Sequence, residues 1–320
     1  MDTATHILIG STLAGLALID PNLAGNEALI QATLVATLIG SNAPDFDTLS
    51  RIRGFKSYLT NHRAFTHSLT AMLIWPILIT LPISFIFGVT ENIFTLLLWS
   101  FIAVLTHVFM DWLNAYGVQC FRPLSQKWHH LDLLSIFDPI LFALHLTGLL
   151  LWVFTNFEAT LIFIVVYSLT AIYIILRAMQ HHFILKLLKL RYPDEITIHL
   201  IPKLHWKQWQ FVVELENFFM IGHINGTSVY VDSNFQKEEE NPVIRATKNT
   251  DGVRTFLHFA DRVHVSSKKV VEGYEVSWSD MRFNYQKKLS FGVDLLLDEN
   301  LNIIDQKMGY RKKTLEPPYL

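Results

Sequence analysis

Cysteine is almost missing from this 320-residue chain, which has only Cys120. That excludes an intramolecular disulfide framework and any cysteine-based zinc site. Charge is also scarce, at 17% Asp, Glu, Lys and Arg, where soluble proteins average about 25%. The scarcity is local. Residues 1–180 hold 7 Lys/Arg and 10 Asp/Glu, whereas residues 181–320 hold 19 and 18. The first stretch has the composition of a membrane domain and the second that of a soluble one. Positive charge is not in surplus either. The formal net charge of −2 offers no basic surface of the kind nucleic-acid binding requires, so no nucleic-acid partner is expected. The opening residues, Met1-Asp2-Thr3-Ala4-Thr5-His6, have no positively charged region such as a secretory signal needs. The first apolar helix is therefore expected to be retained.

What the chain does have is long apolar runs, at about 5–19, 28–43, 69–88, 93–110, 138–155 and 159–176. A helix that crosses the hydrocarbon core needs about 20 residues, with a range of about 17–25. The last four fit. The first two are short and are expected either to span or to re-enter as a pair. If all six cross, one side receives Arg51, Arg53, Lys56, Arg63, Arg122, Lys127, Arg177, Lys186, Lys189 and Arg191, while the opposite loops (20–27, 89–92 and 156–158) carry no Lys or Arg. Ten against none predicts a multi-pass inner-membrane protein whose basic side, with both termini, is cytoplasmic.

Beyond about residue 190 the pattern changes to short runs rich in Val, Ile, Phe and Tyr, among them 211–213, 228–231, 274–278 and 291–295. Asn225-Gly226 between two such runs is a type I′ hairpin signal, and Lys237-Glu238-Glu239-Glu240-Asn241-Pro242 reads as a loop. The expected organisation is a membrane-embedded helical domain of about six helices over 1–180, a basic linker over 181–192 and a small soluble, mainly antiparallel β domain over 193–320.

Ionisable groups in the apolar part are few and oddly placed. His6 opens the first segment, Asp45 and Asp47 close the second, His62 and His67 precede the third, His107 and Asp111 end the fourth, and Asp138 opens the fifth. Antiparallel alternation alone brings all of them to the cytoplasmic face. His107 and Asp111 are four apart, so they share one face of a helix. Asp45 and Asp47 point the same way in extended backbone. Ionisable groups at membrane depth are costly and mark function by default. Imidazoles with carboxylates suit zinc, or manganese. Such a metal would lower the pKa of a water and polarise a carbonyl or phosphoryl oxygen, and the number of carboxylates would permit two. Simpler readings stand beside these. His6 could be a polar residue at a helix start, Asp45 and Asp47 a cap after Pro44, and Asp138 before Pro139 an N-cap. Arg63 fits a substrate phosphate or a topology charge. His129 and His130 look interfacial, and His145 looks like a hydrogen-bonded core residue.

Taken together, Met-Asp-Thr-x-Thr-His6, Gly-x-x-x-Pro-Asp45-x-Asp47, His62-Arg63-x-x-Thr66-His67-Ser68 and His107-x-x-x-Asp111 resemble the YdjM-type family of inner-membrane, metal-dependent hydrolases over about residues 1–180. The soluble extension resembles the YfhP-like members. More distantly, the motif order is similar to zinc-dependent phospholipase C and the P1-type nucleases. The resemblance implies a metal hydrolase with His6, Asp45, His62, His67, His107 and Asp111 as ligand candidates and Asp47 as a further ligand or general base. Phospholipase C also ligates through a mature N-terminal tryptophan and a His-x-x-x-Glu pair. This chain has Met1 and no obvious counterpart of the pair.

The expected function is a membrane-bound hydrolase, with a divalent metal activating water against an ester or phosphoester of a membrane-associated substrate, lipid included. Asp47 or Asp111 would be the base and Arg63 the substrate contact. Two other classes remain: a proton or ion transporter using His and Asp as a relay, and a non-catalytic membrane anchor with a structural metal whose β domain docks a partner.

Overall fold

The computed structural model describes residues 1–285 and 288–311. Each apolar run becomes a helix with a polar residue at its start. Helix α1 (Thr3–Ala17) is capped by Asp2, whose carboxylate accepts from the Thr5 amide at 3.0 Å. Helix α2 (Glu27–Gly40) is capped by Asn26. A 3-10 segment, Ala43–Arg53, leads to the short α3 (Phe55–Asn61). Ser68 caps α4 (Leu69–Ile86), and α5 (Ile93–Trp112) follows after one tight turn. Asp138 caps α6 (Pro139–Phe154), with Pro139 at the first helical position. Such caps satisfy amide donors that the first turn leaves unpaired.

Among the described residues three elements are long and apolar enough to cross a membrane, Leu69–Ile86, Thr90–Trp112 and Ala159–Arg191, the last being α7. The run at 138–155, expected as a fourth, forms the 16-residue α6 and falls short. At 1.5 Å per residue, the 15 residues of α1 and 14 of α2 reach about 22 and 21 Å, short of a hydrocarbon core about 30 Å thick. The two short helices are packed into the bundle by small residues. A Cβ on Gly40 would come within 2.9 Å of the Ala103 methyl, and one on Gly10 within 2.1 Å of the Ser41 hydroxyl. Leu29, Ala32, Ala36, Leu96, Ala103 and Val104 are fully buried in the resulting core. His145 of α6 lies in the interior with both ring nitrogens engaged, by Thr12 at 2.8 Å and Thr170 at 3.1 Å, as a hydrogen-bonded core residue should.

The basic stretch expected as a linker is the last part of α7, which runs unbroken to Arg191. The chain divides into two units, residues 1–49 with 61–181, and residues 50–60 with 182 onward. In the second unit, β1 (Thr197–Pro202), β2 (Gln208–Glu214), β3 (Phe218–Asn225) and β4 (Ser228–Gln236) form an antiparallel meander. The β3–β4 hairpin expected at Asn225-Gly226 is present but shifted by one residue: Asn225 pairs with Ser228, so Gly226 and Thr227 are the two central residues. A positive φ at Gly226 (+63°) but not at Thr227 is the type II′ pattern rather than type I′. Two short helices absent from the sequence expectation follow, α8 (Pro242–Lys248) and α9 (Asp251–Phe259). Strands β5 (Val263–Val270), β6 (Gly273–Asp280), β9 (Phe291–Leu297) and β10 (Ile303–Tyr310) make a second antiparallel sheet in the order β10-β9-β6-β5, and the two-residue β7 (Asn284–Tyr285) and β8 (Lys288–Leu289) pair between them. Residues 50–60 belong to this unit through Phe55, whose ring packs on Phe291, and Lys56, which reaches Asp251 at 3.1 Å.

Candidate metal centre

Four chain segments converge on one buried cluster. The end of α2 leads through Ser41 into the 3-10 segment that carries Asp45 and Asp47. The turn after α3 brings His62 and Arg63, and a single 3-10 turn, Phe65–His67, brings His67. The last turns of α5 contribute His107 and Asp111 from one helix face, and the first turns of α1 contribute His6. His67, His107 and Asp111 are wholly enclosed, and Asp45 is the most open, with its side chain 14% exposed.

Asp45, His67, His107 and Asp111 each offer one ligand atom, all within 4.8 Å of one another. The Nε2 atoms of His67 and His107 are 3.2 Å apart. Asp45 Oδ1 lies 3.5 and 3.6 Å from them, and Asp111 Oδ2 lies 3.4 and 3.7 Å. A tetrahedral ion held at 2.0–2.2 Å by imidazole nitrogen and carboxylate oxygen separates its ligand atoms by about 3.3–3.6 Å. These spacings therefore match a zinc-sized cavity of the right donor set. The hydrogen bonding agrees with it. His107 Nδ1 lies 2.7 Å from the Ser41 carbonyl. A carbonyl only accepts, so Nδ1 carries the proton and Nε2 presents its lone pair inward, as a ligating imidazole must. Asp45 Oδ1 and Asp111 Oδ2 are buried acceptor atoms with no hydrogen-bond partner among the described residues. Orphaned buried acceptors are expensive, and a cation at their meeting point would satisfy both. The residues present fit a divalent metal.

Around this set lies a second layer of contacts. His6 stacks on His107 with ring centroids 3.8 Å apart, and its Nε2 is 3.3 Å from Asp111 Oδ1. Arg63 is buried at φ +61°, an uncommon conformation for a side chain with a Cβ. Its guanidinium donates to Asp111 Oδ1 at 3.2 Å and to the Asn114 amide oxygen at 3.1 Å. Asp111 is thereby gripped through one oxygen and left open through the other. The α-amine of Met1 also lies against Asp111. Asp47 is the clasp of the His62–His67 turn. Its Oδ1 accepts from His62 Nδ1 at 2.6 Å, and its Oδ2 accepts from the Arg63 amide at 3.0 Å and from the Thr66 hydroxyl. Burial opposes ionisation of Asp47, but hydrogen bonds from His62 and His67 outweigh it and hold the carboxyl well below the usual carboxylate range. Burial likewise opposes charge on His67, yet the carboxylates of Asp45 and Asp47 prevail and raise its pKa. Asp45 also forms a second group with Asp47 and His62, again with ligand atoms within 4.8 Å.

The candidates read from sequence thus come together, with one exception. Asp138 belongs to none of these groups. Its Oδ1 accepts from the Ile140 and Leu141 amides and its Oδ2 accepts from the Tyr173 hydroxyl at 2.9 Å, which is the N-cap alternative. Sequence reasoning missed Ser41, Asn114 and the inward turn of Arg63. Asn114 lies two residues past the end of α5, bridged to Leu134, so helical spacing from Asp111 does not reach it. The Ser41 carbonyl had no signal, since any residue would supply it.

The family model for the YdjM inner membrane protein matches residues 1–184, and that for the YfhP C-terminal alpha/beta plait domain matches residues 242–317. A protein of Bacillus subtilis (strain 168) described as "Uncharacterized protein YfhP" is 33% identical over 313 residues, covering 97% of this chain and 95% of that one. No solved structure matches.

Proposed function

The chain belongs to the YdjM inner membrane protein family, and from that premise we propose that it is a membrane-bound, metal-dependent hydrolase of an ester or phosphoester on a membrane-associated substrate. The observation that carries the reading is the set of four ligand atoms, all within 4.8 Å of one another, with the two imidazole nitrogens 3.2 Å apart and each 3.4–3.7 Å from the carboxylate oxygens. A divalent cation there, zinc before manganese, would supply Lewis-acid polarisation of a phosphoryl or carbonyl oxygen and a lowered pKa for the attacking water. The chain's own residues do the rest. Asp45, on the open side of the set, marks the approach of substrate. Arg63 neutralises Asp111 and fixes which oxygen faces inward. The His62–Asp47 pair, aligned by its 2.6 Å contact, takes the proton that the attacking water gives up. If all six apolar helices cross, the ten-to-none charge asymmetry of the sequence favours a cytoplasmic position for this end of the bundle and for both termini.

One observation favours a second reading. Four protein ligands close a tetrahedral centre, which is the arrangement of structural rather than catalytic zinc. Elemental analysis of detergent-purified protein separates the cases in two steps. Wild type should hold zinc or manganese that His67→Ala and His107→Ala lose, and a metal-free wild type refutes both readings. Hydrolysis of phosphodiester and carboxylester substrates that disappears with the metal supports the enzyme. Bound metal with no hydrolysis across those substrates supports the structural centre.

A further inference from the structure

The surroundings of the one approachable ligand are apolar. Asp45 is followed by Phe46, 52% exposed, and Thr66-His67 is preceded by Phe65, 61% exposed. Trp75 of α4 joins the two. Its ring packs edge-on against Phe46 with centroids 5.9 Å apart, and its Nε1 donates to the Thr66 carbonyl at 3.1 Å. Thr66 in turn holds Asp47 through its hydroxyl. The rim therefore belongs to the same hydrogen-bonded unit as the ligands. Leu49 adds to it from the 3-10 segment, which ends in Arg51 and Arg53.

From this rim an apolar stripe runs along α4. Leu69, Leu73, Ile77 and Leu81 are four residues apart, lie on one helix face and are all exposed, Leu73 to 64%. Since α4 is long and apolar enough to cross a membrane, that stripe is a lipid-facing surface, and the rim at Phe46 and Phe65 is its continuation. A soluble substrate gains nothing from such an entrance, and exposed contiguous apolar surface marks a membrane or ligand contact.

We propose that the site takes its substrate sideways from the bilayer, and that the substrate is an amphiphile with an anionic phosphate headgroup, its chains lying along the α4 stripe and its headgroup meeting Asp45 between Phe46 and Phe65. The inference rests on the metal-hydrolase reading for what happens to the headgroup, but the entrance itself is tested without it. In a Cys120→Ala background, nitroxides are placed by Phe46→Cys and Phe65→Cys, with Ile77→Cys as the lipid-facing reference and Tyr230→Cys as the exposed reference. The protein is reconstituted in vesicles of phosphatidylethanolamine and phosphatidylglycerol, and relaxation by oxygen and by a nickel chelate is compared. The two rim sites should behave as Ile77 does, favouring oxygen several-fold over nickel. Nickel access equal to that at Tyr230 overturns the lateral entrance. In a second measurement, manganese-loaded protein is placed in nanodiscs containing phosphatidic acid. The lipid phosphorus relaxation rate should rise at least twofold over the His107→Ala protein, and that of added glycerol 3-phosphate should not. Manganese that binds but relaxes both alike overturns the lipid assignment. Manganese that does not bind at all overturns the metal reading instead.

Discussion

Replacing His107 by alanine removes one ligand of four together with the tie from Nδ1 to the Ser41 carbonyl, and the two losses can be separated. A ligand that binds only the folded state stabilises it by RT ln(1 + [L]/Kd), about 4.1 kcal/mol at a thousand times Kd. Loss of a supporting outer contact already weakens metal sites by about 10–100-fold, and loss of a direct ligand costs at least the upper figure. The same metal concentration is then about ten times Kd, worth about 1.4 kcal/mol. In a unit of this size each kcal/mol moves Tm by about 2–4 °C. The metal-induced rise should fall from about 8–16 °C in wild type to about 3–6 °C in His107→Ala. The assay is thermal unfolding in detergent, followed by tryptophan fluorescence, with each protein measured after chelation and after adding zinc. Taking the difference within each protein cancels the cavity and the lost Ser41 bond, which depress both curves. His145→Ala is the control. It too removes a buried histidine with two hydrogen bonds, to Thr12 and Thr170, so it should lower Tm while keeping the full metal-induced rise. An equal rise in wild type and His107→Ala, or a rise lost equally in His145→Ala, would refute the assignment of the ligands.

Three further outcomes are expected. Arg63→Met leaves Asp111 buried without its guanidinium partner and should cost about 3–5 kcal/mol, with Arg63→Lys recovering only part because one ammonium cannot span both Asp111 and Asn114; denaturant midpoints in detergent measure both. Asp47 has a folded-state pKa below its unfolded value, so the unfolded chain binds the proton first on acidification. Its contribution is therefore full above the unfolded carboxyl pKa of about 3.9 and fades as pH falls below it. Stability of the chelated protein between pH 6 and 3 should drop more steeply in wild type than in Asp47→Asn, and parallel curves would dismiss the clasp. Gly10→Val drives side-chain atoms into the Ser41 hydroxyl and the Thr37 carbonyl, 2.1 and 2.9 Å from where a Cβ would stand. Overpacking of about 1–3 kcal/mol should appear as a lower Tm together with weaker metal binding, because Ser41 also orients His107.

The sequence by itself missed α8 and α9 and overestimated the run at 138–155, whose helix has only 16 residues. It did determine that six apolar runs become helices, and it brought His6, Asp45, Asp47, His62, His67, His107 and Asp111 to one end of a bundle. These are consequences of local hydrophobic runs and of connectivity, since antiparallel alternation sends every second junction to the same side whatever the packing. It also placed the β domain, because Asn225-Gly226 and the alternating runs carry their own turn and strand chemistry. Tertiary structure alone decided which atoms face one another. That His107 turns Nε2 toward Asp45, His67 and Asp111 depends on a carbonyl 66 residues away. Asp138 is drawn into a cap by Tyr173, on another helix, and Arg63 turns inward because Asp111 and Asn114 offer it acceptors. Residues 50–60, which join the Asp45–Asp47 segment to His62, fall with the second unit because Phe55 finds Phe291 and Lys56 finds Asp251. Each of these choices is a through-space contact between residues distant in sequence, fixed by packing and hydrogen-bond satisfaction rather than by the composition of any one segment.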